Sequence, residues 1–533
     1  MTRYGHLITE DNSKWWTLAA MCFALFMIML DNTVVNVALP SIQSDLGASI
    51  SALEWTINGY TLSFAVLLAT GGRLGDILGR RRMFLLGVVL FAASSATAGL
   101  APTDTALVIS RVTQGIGAAL MMPATLSIIT NAFPAEERGR AIGTWAGISA
   151  LALAIGPLLG GFLTEQVSWR AIFYLNIPVA AGAVLATLFA VRESRDETVG
   201  REIDWAGTAV LTGGLTALVL ALVEGNAWGW GSTRIIALFV TAALLLATFL
   251  LVESRVKAPI IQFEFLRNRN FVGATLVAFV ISFSMLGMFF FMALYIQNIL
   301  GYSPLEAGVR FLPTTLVIMV LAPIAGRLTD RIGPRPLIAA GLGIVSVSLF
   351  MQSMIDIESG YSTLLVPFIL MGVGIALTMS PMSTAAMNAV AETKAGLASG
   401  LLSMSRMVGG TFGIAVLGAV FQAHSRSDLS AALGPIGIGE GRIDAIAEQL
   451  GSGGLDATIA GLPAAQAQQA GDAAREAFIN SLAGAIEISA FVAAAGAILA
   501  LVLISAKRKA PSDAAALLEA QPATPELAAG RPD

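Results

Sequence analysis

The chain has almost no cysteine and almost no histidine. Cys22 is the single thiol in 533 residues, which excludes an intrachain disulfide and any cysteine-based metal cluster. The two histidines, His6 and His424, are far apart and lie outside every long apolar stretch, so no metal site is expected. Charge is scarce too. Charged residues make up 12% of the chain against 56% hydrophobic, a balance that excludes a soluble domain and with it a soluble enzyme. The formal net charge of −4 carries no basic footprint, and no nucleic-acid partner is expected. No Gly-x-x-x-x-Gly-Lys-[Ser/Thr] loop occurs, so the chain has no Walker-type ATP site of its own. No cofactor is expected, and an ion gradient is the natural driver.

What fills the chain instead is apolar sequence. About fourteen stretches approach or exceed the roughly 20 apolar residues that a spanning helix needs. They fall at about 15–40, 52–72, 83–101, 105–126, 140–163, 172–191, 205–223, 234–252, 271–297, 306–326, 336–354, 362–384, 396–421 and 479–505. With the amino terminus inside, about 23 of the 31 Lys and Arg lie on the cytoplasmic side and about five outside. Basic residues are retained in the cytosol, so a multi-pass protein of the inner (plasma) membrane with both termini cytoplasmic is expected. Trp15, Trp16, Trp55, Trp169, Trp205, Trp228 and Trp230 all sit near span ends, where an aromatic belt is expected. The first stretch is too long for a signal peptide and lacks an evident cleavage site, so it is expected to be retained.

A repeat organises these spans. Gly72-Arg73-Leu74-Gly75-Asp76-Ile77-Leu78-Gly79-Arg80-Arg81 follows the second span, and Gly326-Arg327-Leu328-Thr329-Asp330-Arg331-Ile332-Gly333-Pro334-Arg335 follows the tenth. Both fit G-x-L-x-D-x-x-G-x-R, and each falls between the second and third spans of a six-span set. Such internal symmetry marks transporters built from two halves around a central site. The expected fold is an all-α integral membrane protein whose 14 transmembrane helices form two six-helix pseudo-symmetric bundles plus two inserted helices. The corresponding divisions are 1–191, a linker with the inserted pair at 192–270, a second bundle at 271–505 and a disordered cytoplasmic tail at 506–533. An external loop at 422–478 interrupts the second bundle, and it reads either as a mobile hairpin or as a substrate-handling extension.

These residues resemble the major facilitator superfamily, and within it the 14-span drug:proton antiporters. Leu30-Asp31-Asn32-Thr33-Val34-Val35-Asn36-Val37-Ala38-Leu39-Pro40 is similar to that subfamily's first-span signature, and the two turns are similar to its loop motif. Arg111-Val112-Thr113-Gln114-Gly115-Ile116-Gly117 resembles the fourth-span motif. Gly147, Gly156-Pro157 and Gly160-Gly161 resemble the fifth-span pattern of exporters. Trp169-Arg170 and Phe173-Tyr174-Leu175-Asn176-Ile177-Pro178 resemble the segment entering span six.

Asp31 is an acid inside an apolar run, where insertion costs about 2.5–3.5 kcal/mol on translocon scales. Arg111 lies at similar depth, so the two are expected to face each other. A guanidinium favours the carboxylate, whereas burial favours the acid, and that competition suits a coupling device. The resemblance also assigns proton coupling to this pair. An interhelical anchor is the bland alternative. By the same resemblance, Arg73, Asp76, Gly79, Arg80 and Asp330 form a conformational latch on the cytoplasmic side, where Gly79 and Gly333 permit unusual backbone angles. Gly147, Gly156, Pro157 and Gly160 read either as close helix packing or as an antiporter hinge.

In the second half, Arg406 and Glu487 are expected to pair, as a brace or as a substrate or proton site. Glu306 and Arg310 have i, i+4 spacing and read as a structural pair. Asn58 stands where some multidrug relatives carry an acid, which puts dicationic drugs in doubt. Met288 and Phe289 belong to an aromatic and methionine run that suits a pliable pocket.

The implied function is a multidrug-efflux proton antiporter of the plasma membrane, a non-enzyme associated with antibiotic resistance. Its implied partners are an amphipathic small molecule, protons and the lipid bilayer, and it is expected to be a monomer. An exporter of one lipid or self-made metabolite is the first alternative. A non-transporting sensor or scaffold is the second.

Overall fold

A computed structural model of the chain describes residues 12–195, 204–256, 265, 267–390, 395–448, 450 and 462–505. Every regular element among the described residues is helical. In a bilayer core the backbone must satisfy its own hydrogen bonds, and a helix does so within a single segment. The helices are α1 (Ser13–Leu46), α2 (Ile50–Leu78), α3 (Arg80–Gly99), α4 (Asp104–Ala132), α5 (Ala135–Gln166), α6 (Ala171–Tyr174), α7 (Asn176–Ala190), α8 (Trp205–Trp228) and α9 (Thr233–Glu253). After them come α10 (Arg269–Leu294), α11 (Pro304–Ile332), α12 (Pro334–Ser353), α13 (Tyr361–Asn388), α14 (Ala395–Leu433), α15 (Glu440–Glu448) and α16 (Ala464–Leu503). Among the described residues, twelve helices are long and apolar enough to cross a membrane, or thirteen when Ile50–Leu68 and Thr70–Leu78 count as one span bent by 51°. The protein is a multi-pass, all-helical membrane protein.

Local chemistry sets the helix ends. Ser49, Thr103 and Ser232 cap α2, α4 and α9 by accepting from the backbone N–H three residues on. Ser303 and Glu306 form a capping box on α11, with Pro304 in its first turn. Glu306 is thereby committed to Ser303, and Arg310 donates to the Glu306 carbonyl and stacks on Tyr302 instead. The expected Glu306–Arg310 ion pair is replaced by a cap and a cation–π contact.

The repeated turns are tighter than the sequence suggests. No breaker precedes Gly79 or Gly333, so the helix runs on to Leu78 in one copy and Ile332 in the other. Single glycines at φ 118° and 84° then start α3 and α12. Asp76 and Asp330 therefore lie in the last turns of helices, not in loops.

The segment 422–478 also departs from the expected loop. α14 continues through it to Leu433, α15 occupies Glu440–Glu448, and α16 begins at Ala464. Residues 449 and 451–461, and the tail 506–533 expected to be disordered, lie outside the described residues.

Packing places the helices in two groups. α1 packs on α5 and α7 while α4 packs on α2 and α3; correspondingly, α10 packs on α14 and α16 while α13 packs on α11 and α12. The hairpin α8–α9 rests on α2 and α14, and the most apolar window of α9 is only 17% buried, a lipid-facing surface. The groups meet along two seams, α2 with α14 and α5 with α11. Glycines allow the close approach at the second seam: a Cβ on Gly161 or Gly308 would strike the carbonyl of Pro304 or Pro157 across it. Hydrogen bonds join the groups at Thr61 with Thr411, near the middle of the α2/α14 seam, and, toward the end that carries the α1–α2 turn, at Gln297 to Val37, Leu305 to Glu165 and Gln422 to Glu54.

Candidate functional site

Asp31 stands just past the middle of α1 and is 1% exposed; Arg111 on α4 is equally buried. Arg111 Nη1 donates to Asp31 Oδ2 at 2.5 Å and to Gln114 Oε1 at 2.7 Å. Arg111 Nε donates to the Thr56 carbonyl of α2 at 2.9 Å, and the guanidinium lies 4.3 Å from the centre of the Tyr60 ring. The other Asp31 oxygen, Oδ1, accepts from Gln114 Nε2 at 3.0 Å and from Asn176 Nδ2 at 3.2 Å. Asn176 also donates to Ser95 Oγ at 2.9 Å, and Ser95 donates to the Phe173 carbonyl at 2.8 Å. Residues of six helices, α1, α2, α3, α4, α6 and α7, thus join one network around a single carboxylate. Breaks in helical order bring two of them in: Leu175 separates α6 from α7, so Asn176 sits at the start of α7 beside Asp31.

The two carboxylate oxygens have different partners. Amide groups that never ionise hold Oδ1, and the movable cation holds Oδ2. A proton arriving at Oδ2 displaces one Arg111 N–H, and Arg111 keeps Thr56, Gln114 and the Tyr60 ring as alternative partners. Protonation neutralises Asp31 and leaves the buried Arg111 cation held by neutral acceptors and a ring face alone, so the proton and the guanidinium contact compete for Oδ2.

The expected hinge residues lie against this site. A Cβ on Gly156 would collide with Thr33, and one on Gly160 would approach the Val34 carbonyl to 2.7 Å. Thr33 and Val34 follow Asp31 by two and three residues. The Pro157 carbonyl faces Gly308 of the other group. α5 thus touches the Asp31 helix with one face and the opposite helix group with another. Gly147 lies on α5, but its surroundings fall outside the described residues.

At the α2–α3 junction, Arg80 donates to Asp76 Oδ1 through Nη2 at 2.8 Å and Nε at 3.0 Å. Glu193 accepts from the Arg81 N–H at 3.0 Å, and the Ser194 carbonyl accepts from the Arg80 N–H. Gly79 is required there, because a Cβ would come within 2.7 Å of the Glu193 carboxyl. Arg73 has partners of its own. The Asp330 side chain lies outside the described residues.

Several expected residues, in both groups, meet other surroundings than their spacing suggested. Arg406 and Glu487 do not pair: Glu487 is exposed on the outer surface of α16, and Arg406 Nε has no partner. Spacing along two helices leaves their rotations undetermined, and packing turned these residues apart. Met288 is fully buried in the core of α10–α16 rather than lining a pocket, and half-buried Phe289 packs its ring on Phe311 at 5.2 Å. Asn58 is wholly buried, with neither amide atom hydrogen-bonded. Trp169, expected in the interfacial belt, is 4% exposed because its indole N–H donates to Asp45 under the Arg170 guanidinium.

Sequence reasoning missed Gln114, Asn176, Ser95 and Tyr60. The first two stand inside quoted motifs, three residues after Arg111 and two before Pro178, so their position was visible while their contacts were not. Glu54 was missed altogether.

These features define a multi-pass helical carrier with charge held between helices, and the comparisons narrow the class. A family model described as Major Facilitator Superfamily matches residues 21–414. The tetracenomycin C resistance and export protein of Streptomyces glaucescens is 37% identical over 410 residues, 77% of this chain and 76% of that protein. Multidrug resistance protein Stp of Mycobacterium tuberculosis is 38% identical over 426 residues, 80% of this chain and 78% of its own length. Among solved structures, a bacterial homolog to the human lysosomal transporter Spinster, inward-facing and unoccupied, matches with a TM-score of 0.65. It is 18% identical, and the match covers 94% of this chain and 99% of that one, which shows a common fold. The chain belongs to the Major Facilitator Superfamily. It is a transporter and not an enzyme.

Proposed function

We propose that this protein exports amphipathic small molecules, drugs and antibiotics among them, in exchange for protons by alternating access between its two helix groups. The observation that carries the reading is the fully buried Asp31–Arg111 pair with its amide-held second oxygen. Export of drug-like compounds rests on kinship with proteins named for multidrug resistance and antibiotic export.

On this reading α5, with its 32 residues, completes fourteen spans. They form two six-helix bundles at 1–191 and 271–505, joined by a linker (192–270) that carries the inserted pair α8–α9. The chain sits in the plasma membrane with both termini cytoplasmic. Contact along both seams at the outer end supports assigning this conformation to the state open toward the cytoplasm. Drug enters from that side while Asp31 releases its proton and recaptures Arg111. After the switch, external protons displace Arg111 again. Asp76 and Arg80 act in the cytoplasmic latch, and Gly156, Pro157 and Gly160 carry the motion between α1 and the opposite group. One positive charge crossing 100 mV supplies about 2.3 kcal/mol, enough for roughly a 50-fold gradient.

The test is proton flux in inverted membrane vesicles as candidate compounds are added. Wild type moves protons when a substrate arrives, and Asp31→Asn does not. Undiminished drug-driven flux in Asp31→Asn would end the assignment. A second reading, export of a compound made by the cell itself, draws on the Streptomyces relative's name. Flux confined to one such compound supports it over a broad drug range.

A further inference from the structure

Glu54 is a carboxylic residue lying in the α2/α14 seam, and nothing in the Asp31 network touches it. It is wholly buried. Gln422 Nε2 of α14 reaches its Oε1 only at 3.5 Å, and Oε2 has no partner. α14 has glycine opposite, because a Cβ on Gly418 would collide with this carboxyl. Asn58 lies one turn deeper on the same face of α2, with both amide atoms unpartnered. Three residues further, the Thr61 and Thr411 hydroxyls meet across the seam at 2.8 Å. Positions 54, 58 and 61 thus form a polar stripe that the closed seam hides from water.

The charged groups around Glu54 bring no cation to it. On α8, Glu224 accepts from Ser51, one turn before Glu54, at 2.9 Å. On α14, Arg426 is paired with Asp444 at 2.9 Å. On α4, Arg111 is committed to Asp31 and Thr56, and Asp104 stands at the outer end. On α1, Asp31 and Asp45 are held by Arg111 and Arg170. α3 is charged only at its cytoplasmic start. An external cavity of about 580 Å³, lined by Glu224, Gln422, Arg426, Asp104 and Asp444, reaches the rim of this seam. Burying a carboxylate with no cation costs far more than burying the acid, and a second carboxylate nearby adds repulsion.

We propose that Glu54 is a second proton-binding carboxyl, which closes the outer seam only in its protonated form and exchanges that proton with the medium through the external cavity. The inference rests on the alternating-access reading and adds a gate to it. When the seam parts, Glu54 and Asn58 are hydrated, the acid O–H bond breaks, and the proton leaves to the outside. Closure takes one proton back. Low external pH therefore favours the outwardly closed state, and that preference is lost as pH rises.

The test uses the full chain in lipid nanodiscs, with Cys22→Ser and spin labels at Val167→Cys and Ile357→Cys, two strongly exposed outer positions at 68% and 62% exposure. In the otherwise wild-type chain the short label separation dominates near about pH 5. A longer separation grows toward about pH 8, by no more than about tenfold per pH unit for one titrating group. Glu54→Gln holds the short separation throughout. Glu54→Asp restores the pH dependence, which shows that loss in the Gln variant is not misfolding. Asp31→Asn retains it. A Glu54→Gln chain that titrates like wild type overturns the proposal, as does a wild-type chain whose separation ignores pH. If the gate titrates through Glu54 while Asp31→Asn still shows drug-driven proton flux, the transport assignment falls and the gate stands.

Discussion

Matching helix pairs of the two groups, α1/α4 and α10/α13, treat buried charge in opposite ways. In the first, α1 and α4 contribute Asp31 and Arg111, and every polar atom of the carboxylate is matched. In the second, the counterparts by packing are α10 and α13. α13 carries no charged residue at all, and α10 carries only Arg269 at its start. Rings fill that space instead, with Phe311 stacked on Phe368 at 5.5 Å and Phe290 edge-on to Phe291 at 4.9 Å. At these matching helix pairs, one scaffold used twice thus holds an ion pair in one copy and packed rings in the other, while Arg406 of the second group, its Nε buried, stands elsewhere, on α14. A motif repeat therefore signals shared geometry and does not signal shared chemistry.

The sharpest way to break this contrast is to remove the cation. Arg111→Met leaves Asp31 buried and unpaired, with an expected loss of about 3–5 kcal/mol. Thermal unfolding in detergent should show it, and drug-driven proton flux should vanish. The double variant Asp31→Asn/Arg111→Met should regain most of the stability and none of the flux. A double variant as unstable as Arg111→Met alone would refute the pairing account.

Next in size is the seam between the groups. Gly161→Val places a side chain against the Pro304 backbone, so the outer face should fail to close and turnover should fall at least about tenfold. Turnover measured in vesicles with expression held equal checks this; unchanged turnover would show that the seam need not close.

The repeated junction comes third. Gly79→Ala and Gly333→Ala each force a side chain into a positive-φ backbone, costing about 1–3 kcal/mol of strain. Gly79→Ala additionally meets Glu193, so it should be the more damaging in paired thermal melts. Equal melts for the two variants would mean that the Glu193 contact is immaterial.

The smallest effect belongs to Glu487. Exposed and without a described partner, Glu487→Gln should alter stability by no more than about 0.5 kcal/mol and leave transport intact. A large transport defect would restore a functional role in the second group.

Asp31 and Arg111 were legible because a charge inside a long apolar run is costly enough to need a reason. Gln114, Asn176 and Ser95 were not, since neutral polar residues occur in spans at little cost and carry no comparable signal. Glu54 escaped for another reason: four residues past the start of α2, it reads as an interfacial acid. Burial by α14, 364 positions away at Gly418, cannot be seen locally. Glu487 erred the opposite way, looking buried along the chain while facing outward.

The amino-acid order by itself determined that this chain is a bundle of membrane helices, because apolar length is a one-dimensional property that the bilayer reads directly. It also determined the doubled architecture, through two glycine-hinged turns at matching positions. Tertiary structure alone decided which faces of those helices meet. Rotation about a helix axis leaves the residue count unchanged, and only packing against neighbours turns Asp31 toward Arg111, hides Glu54 in a seam and leaves Glu487 at the surface.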